Sequence, residues 1–299
     1  MSGTAVDVLL PAATPLAVGP LLAALAAHAV PGLEEVDPAA GSVRRTVPGA
    51  HGPAAVSLRI TPTAVRAEIE LAHPGDGDAV VARLRRWFDL DTDVAAVDVH
   101  LAKDAALAPL VAARPGLRVL GHVDGFEAAV TTVLGQQVSL AAARTFAARL
   151  VAALGGPVPG TATSGGGGLR TFPSPEVLAD AGPSALREVT GVTGNRARTL
   201  HALATVCAAG LRIDPDQDPG ATRAALLAVP GVGPWTAEYL ALRAMGDRDA
   251  LPSGDLVLRR ALGGASAAET VAAARAWRPW RAYAVTHLWT AAAYLARTP

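Results

Sequence analysis

Two hydrophobic periods divide this chain, and the change from one to the other comes near residue 88. In AAVSLRITPTAVRAEIELA, residues 54–72, apolar and polar side chains alternate. Val56, Leu58 and Ile60 fall on one side of the first run, and Val65, Ala67, Ile69 and Leu71 on one side of the second. A period of two is that of a half-buried strand, and TPT between the runs suits a turn. PLLAALAAHAV is helical in composition, and DAVVARLRRWF restores helical spacing with Val80, Val81, Leu84 and Phe88 on one side. Residues 1–88 therefore read as a small antiparallel sheet with two helices, an α/β domain of their own. From about residue 89 the alternation is gone, and alanine-rich helical segments punctuated by Gly and Pro run to residue 299. The fold class is α+β, an N-terminal sheet domain followed by a mostly helical body.

Several classes of protein are excluded early. The longest apolar stretch, VDVLLPAATPLAVGPLLAALAAHAV, is cut by three prolines, so no run approaches the roughly 20 residues that span a bilayer. The start of the chain lacks a basic signal-peptide region, and a cytoplasmic location is expected. The single cysteine, Cys207, rules out a disulfide framework and a four-thiolate cluster. Its apolar setting, TLHALATVCAAGL, reads as a small buried hydrophobe. Lys plus Arg (26) balance Asp plus Glu (26), which argues against binding driven by many phosphate contacts but permits a local footprint. Lys103 is the only lysine.

Within the helical part, DGFEAAVTTVLGQQVSLAAARTFAARLVAALGG predicts two helices broken near Gly135, with Gln136 and Gln137 at a helix start. VPGTATSGGGGLRTFPSPE reads as a flexible surface loop, and Gly165 to Gly168 as its tip, since no Lys-Ser/Thr comes after it to make a phosphate cradle. SPEVLADAG, SALREVTGVTGNRARTLHALATVCAAG and TRAALLAVPGVGPWTAEYLALRAMG are further helical units, and the end of the chain reads as two helices joined at Pro279. One spacing recurs. VTGVTGNRARTLHAL and VPGVGPWTAEYLAL both carry an apolar residue, a Gly-Val pair, a second glycine and then a helix, as two copies of a helix-turn-helix unit would.

The second copy is the barest. Gly231 and Gly233 permit positive φ and close approach, and Pro234 suits the first position of a helix. The helix then opens with free N–H groups and no side chain in front of them, which fits a phosphate oxygen. An ordinary helical corner has the same pattern. Trp235 and Tyr239, four apart, lie on one helix face, either as packing or as a surface on which a base stacks. Asp255, in LPSGDLVLRRAL, either caps the next helix or serves as a reactive carboxylate.

LLAVPGVGPWTAEYLALRAMG followed by LPSGDLVLRRAL resembles the helix-hairpin-helix, Gly/Pro-rich loop and aspartate signature of the base-excision DNA glycosylase superfamily. WRPWRAYAVTHLW, DGFEAAVTTVLGQQVS and the N-terminal LAAHAVPGLEEV…VRRTV resemble its AlkA-type 3-methyladenine branch. The resemblance spans nearly the whole chain. It implies a TATA-binding-protein-like N-terminal domain and a helical core in two lobes. One lobe covers about residues 113–228, the other combines 89–112 with 229–299, and the hairpin spans 226–246. It implies a monofunctional enzyme that acts as a monomer on double-stranded DNA, needs no cofactor, and hydrolyses the N-glycosidic bond of alkylated bases flipped out of the duplex.

The implied roles are specific. Asp255 stabilises the sugar cation, and Trp235, Tyr239 and Trp289 form the base pocket, where an aromatic face attracts a cationic alkylated purine. Gly231, Gly233, Pro234 and Thr236 bind DNA at the turn. Gln136 and Gln137 lie where a side chain enters the gap left by the flipped base, and Arg196 adds a phosphate contact. Backbone carbonyls near Val229, Gly231 and Val232 hold a monovalent or divalent cation, Na or K, that bridges to phosphate. Relatives that form a Schiff base carry a lysine where this chain has Trp235, so no lyase step is expected through the hairpin. Trp277, Trp280 and His287 are expected to pack. Ala24 and Leu25 stand where an aromatic would help close the pocket, which leaves the pocket more open or reshaped. Two other readings fit the same residues: a non-catalytic lesion-binding protein, and a glycosylase for oxidised or bulky purines.

Overall fold

A computed structural model describes residues 4–158, 161 and 168–294. The N-terminal part is a five-stranded antiparallel sheet in the order β1-β5-β4-β3-β2. The strands are β1 (Thr4–Pro11), β2 (Glu34–Asp37), β3 (Ser42–Pro48), β4 (Pro53–Ile60) and β5 (Ala64–Leu71), with helix α1 (Val18–His28) between the first two and α2 (Gly77–Trp87) after the last. The alternating runs are β4 and β5. Val56 pairs with Ile69 and Leu58 with Ala67, and all four side chains are buried against Leu21, Leu22 and Leu25 of α1 and Val80, Leu84 and Phe88 on or just after α2. Strand β1 escapes the alternation rule. It is an edge strand with mostly exposed side chains, so neither face carries an apolar pattern.

The helical body comes next. Its helices are α3 (Val94–Leu101), α4 (Ala108–Ala113), α5 (Gly125–Gly135), α6 (Leu140–Leu154), α7 (Pro175–Thr190), α8 (Gly194–Ala208), α9 (Pro219–Ala228), α10 (Pro234–Arg243), α11 (Leu256–Ala261), α12 (Ala267–Ala273) and α13 (Arg281–Trp289). Helix α5 is its axis. Apolar residues such as Phe126, Ala129, Val133 and Leu134 leave it no solvent face, and it packs against α6, α8 and α10. Helix α7 joins two of the expected units across a break at Gly182, where φ is +71° and Pro183 comes next. Near the end, Ala274–Trp277 form a tight turn before α13. Trp277 and His287 are buried, and Cys207 is half-buried, with its thiol pushed up to about 12 by burial.

Sheet domain and body share a buried junction. Val30 and Leu33 from the sheet domain belong to the core of the body. Arg45 of β3, only 2% exposed, donates to both oxygens of Glu127 on α5 at 2.8 Å and to Glu34 at 3.1 Å. One expectation changes here, and another lies outside the described residues. Gln136 and Gln137 lie in the link between α5 and α6, because the capping side chain of Ser139 starts α6 beyond them. The Gly165–Gly168 tip falls largely on residues 162–167, outside those described. The chain just beyond the tip is held down: Leu169 is buried, Arg170 N–H donates to Gly32 O at 2.8 Å, and Thr46 Oγ1 donates to Arg170 O at 3.0 Å.

Candidate active site

Asp218 caps α9, which ends at Ala228, and Val232 N–H donates to Val229 O at 3.0 Å to close the turn before α10. Gly231 is required twice over. Its φ is +88°, and a Cβ there would stand 2.0 Å from Thr199 Oγ1 on α8. Gly233 differs. It has an ordinary extended φ of −102°, and a Cβ would meet nothing within 4 Å. No contact inside the molecule demands glycine at this position, yet it is the N-cap of α10, and no side chain caps the helix. Pro234 occupies the first helical position. The related turn before α8 is closed instead by the hydroxyl of Thr193, which accepts from Arg196 N–H. Of the two repeated turns, only 229–235 leaves a bare helix start.

Asp255 lies at the mouth of α11 and is 9% exposed. Its Oδ1 accepts Leu258 N–H at 2.8 Å and so caps α11; the same oxygen accepts Trp289 Nε1–H at 2.9 Å. Oδ2 accepts Trp235 Nε1–H at 3.0 Å. Three N–H donors on two oxygens are the partners of a carboxylate and fix its rotation. Asp255 thus caps α11 and lines the cavity at once. The indoles come from α10 and from the end of α13. Tyr239, one turn beyond Trp235, stacks on it at 5.3 Å and 27°, and its ring lies 5.7 Å from that of Trp289.

These four side chains line a cavity of about 660 Å³. Its other walls come from α1, α2, α5, α6, the segment before α5, the end of α10 and the turn after α13, including His28, Trp87, His122, Glu127, Arg243 and Tyr294. Burial and the nearby guanidiniums of Arg243 and Arg144 hold His28 down at about 3, and its Nε2 sits 2.9 Å from the Tyr294 hydroxyl. Burial, then Arg45, keeps His122 well below the usual imidazole range. Burial pushes Glu127 up to about 7 against the opposing pull of Arg45. Arg243 is 9% exposed, makes no hydrogen bond or ion pair among the described residues, and lies 6.0 Å from the Tyr239 ring.

The remaining candidates divide. Gln137 is exposed and adopts φ +55°, a conformation uncommon outside glycine. Gln136, Thr236 and Arg196 are engaged inside the molecule. Gln136 Nε2 donates to Gly231 O at 3.2 Å and to Thr236 Oγ1 at 3.1 Å, Thr236 is 2% exposed, and Arg196 donates to Gln136 O. The three are used in bracing the α5–α6 link against the turn. The expected gap in the pocket wall is also partly filled. Leu25 lines the cavity as expected, but Trp87, from the end of α2, lines it too. Its place gave no signal in the sequence, because it closes an amphipathic helix whose apolar side already accounts for it. Lys103 lies just beyond α3 and does not line the cavity.

A sheet domain, a helical body and a glycine-turn hairpin set against an aspartate in an aromatic-lined cavity define a helix-hairpin-helix protein of the DNA-repair glycosylase fold. The model of the AlkA N-terminal domain matches residues 7–124, and that of the HhH-GPD superfamily base excision DNA repair proteins matches residues 130–280. The chain belongs to that superfamily, in its AlkA-type branch. It is 44% identical over 295 residues to a probable bifunctional transcriptional activator/DNA repair enzyme AlkA of Mycobacterium tuberculosis, covering 97% of this chain and 58% of that protein. It is 35% identical over 212 residues to DNA-3-methyladenine glycosylase 2 of Escherichia coli, covering 70% of each. The structure of a 3-methyladenine DNA glycosylase from Archaeoglobus fulgidus superposes with a TM-score of 0.83 at 20% identity, over 97% of this chain and all of that one.

Proposed function

We propose that this chain is a monofunctional DNA glycosylase that removes alkylated bases of the 3-methyladenine and 7-methylguanine kind from double-stranded DNA. The observation that carries the reading is the pair of indole N–H groups, from Trp235 and Trp289, that aim one carboxylate, Asp255, within an aromatic-lined cavity. A base inside a duplex is out of reach, so it is rotated into the cavity, taken to lie between a lobe of about 113–228 and one of 89–112 with 229–299. There it lies against Trp235, Tyr239 and Trp289, whose electron-rich faces favour a base made cationic by alkylation. Breaking the N-glycosidic bond leaves positive charge on the sugar. Asp255, already immobilised, stabilises that charge without reorganising and orients the water that attacks C1′.

The turn at 229–235 supports the DNA grip. The bare N-terminus of α10, with Gly231, Gly233, Pro234 and the main chain of Thr236, faces one phosphate, and nothing at Gly233 obstructs its approach. A neutral chain can bind DNA this way, with few charges. The carbonyls of Val229 and Gly231 each carry one protein hydrogen bond and keep a second lone pair. With Val232 they form a neutral oxygen set suited to a monovalent cation such as Na or K, which would add positive charge for the same phosphate. Gln137 enters the gap left by the flipped nucleotide, its strained backbone holding it out from the α5–α6 link, while Gln136 and Arg196 fix that link. The only lysine is away from the cavity, so water adds to C1′ as the base leaves, and the strand stays intact with an abasic sugar. The protein works as a monomer, in the cytoplasm on chromosomal DNA.

The test is release of free base from methylated duplex DNA by the wild-type chain and by Asp255→Asn, with binding to an abasic-analogue duplex measured alongside. Release by wild type and its loss in the variant with binding retained supports the reading. Binding without release by wild type replaces it with a lesion-binding protein.

A further inference from the structure

The sheet domain carries a group of metal-ligating side chains that the base-excision site does not use. His51 lies in the turn between β3 and β4, and His73 and Asp76 lie in the connection from β5 to α2. One ligand atom from each of the three lies within 4.8 Å of the other two. Among the described residues no other such trio occurs. The two imidazoles pack side by side, with centroids 4.5 Å apart and planes inclined by 35°.

The chain builds this arrangement around a buried carboxylate. Asp76 is 2% exposed although it ends a surface turn, Pro74–Asp76. Its Oδ2 accepts His51 N–H at 3.0 Å, and its Oδ1 lies 2.7 Å from His51 Nδ1. Gly49 makes the approach possible, since a Cβ there would stand 2.4 Å from Asp76 Oδ2. On the other side His73 Nδ1 accepts Gly75 N–H at 3.2 Å. The pairing of Asp76 with His51 accounts for one histidine. It does not account for the second, which makes no hydrogen bond with Asp76 and yet packs against His51.

We propose that His51, His73 and Asp76 bind one divalent transition-metal ion of the Zn, Cu and Ni group. Two imidazole nitrogens and a carboxylate oxygen are the donors these ions take, whereas Mg and Ca prefer oxygen alone. Rotation of the exposed rings closes the ligand atoms to bonding distance, and solvent completes the coordination. The ion ties the β3–β4 turn to the start of α2. These are the two elements that send Arg45 and Trp87 into the walls of the cavity, so the site acts as a brace for the sheet domain.

The test uses the full chain without a tag, stripped with chelator and then freed of it. Titration with Zn²⁺ by calorimetry should show one equivalent, lost by at least 100-fold in affinity in the His51→Ala/His73→Ala double variant and weakened at least tenfold in Asp76→Asn. Because the ion binds only the folded chain, Zn²⁺ should raise the melting temperature of wild type and leave that of the double variant unmoved. Cu²⁺ should give an electron paramagnetic resonance spectrum with coupling to two imidazole nitrogens, absent from the double variant. Both histidines are exposed, so their loss leaves the core intact. Absence of a one-equivalent isotherm in wild type, or binding and melting shift retained by the double variant, would overturn the proposal.

Discussion

Trp289 donates to the same Asp255 oxygen that caps α11, so the carboxylate is fixed by a helix it starts and by an indole 34 residues further on. The second indole, Trp235, holds the other oxygen. Trp289→Phe keeps the ring and removes one charge-assisted bond, worth roughly 1.5–3 kcal/mol. The expected result is a single-turnover rate of base release lower by about 10- to 100-fold, with affinity for abasic-analogue DNA nearly unchanged. Equal losses in rate and affinity would mean that Trp289 serves only to pack the pocket.

Gly231 and Gly233 separate the demands of the fold from those of the partner. Alanine at 231 must adopt positive φ and push Thr199 aside, and should cost on the order of 2–4 kcal/mol in thermal unfolding. Alanine at 233 meets nothing and sits at an ordinary φ, so it should cost less than about 1 kcal/mol. It should nevertheless weaken duplex binding several-fold, since its methyl group stands before the bare helix start. A Gly233→Ala chain that binds DNA as well as wild type would remove the turn from the DNA grip.

Glu127 gives the junction a pH dependence of known sign. Its folded-state value, about 7, lies above the 4.5 of a free glutamate, so the folded chain holds a proton that the unfolded chain releases. Its contribution to stability is fully present below about pH 4.5 and is lost as the pH rises through about 7. Glu127→Gln carries no such proton, so the wild-type melting temperature should fall relative to that of the variant between about pH 5 and pH 8. His28 acts in the opposite sense. Held down at about 3, it withdraws stability as the pH falls below about 6.5, and that change should be common to both chains. A difference between the two chains that stays flat across this window would place the titration elsewhere.

The parts of this molecule legible in its sequence are those where one side chain or one period decides the local structure. Strands β4 and β5 follow from their alternation, α2 from its spacing, and the turn at 229–235 from two glycines and a proline. Edge strand β1 was not legible, because a strand with little buried surface has no period to show. The bracing of Gln136 on Gly231 and Thr236 joins residues about 100 apart in the chain, and no local pattern encodes it. Trp87 and Glu127 reach the cavity from helices that look complete as amphipathic or buried elements, so their second role exists only in the packed molecule. Asp255 showed the converse. The cap that its residue type suggests is present, and the same carboxylate also faces the cavity and takes two indole N–H bonds, because it has acceptors enough for both.

Arg243 stands in the cavity wall with its Nε buried and without a hydrogen-bond partner among the described residues. A guanidinium that is 9% exposed and makes no hydrogen bond or ion pair among the described residues loses most of its hydration, and the Tyr239 ring at 6.0 Å returns only about 1–2 kcal/mol of that. Arg243→Met fills much of the same space without the charge. It should therefore raise the melting temperature, by about 2–4 °C for each kcal/mol gained. The guanidinium also helps keep His28 and His122 neutral, and its loss lets both imidazoles take a proton more readily. Base release by the variant should accordingly decline toward low pH more steeply than that of wild type, as positive charge accumulates on the wall that receives a cationic base. Thermal unfolding and release measured on the same preparations check both halves. A variant that melts lower than wild type would show that Arg243 is paired through water and is part of the scaffold.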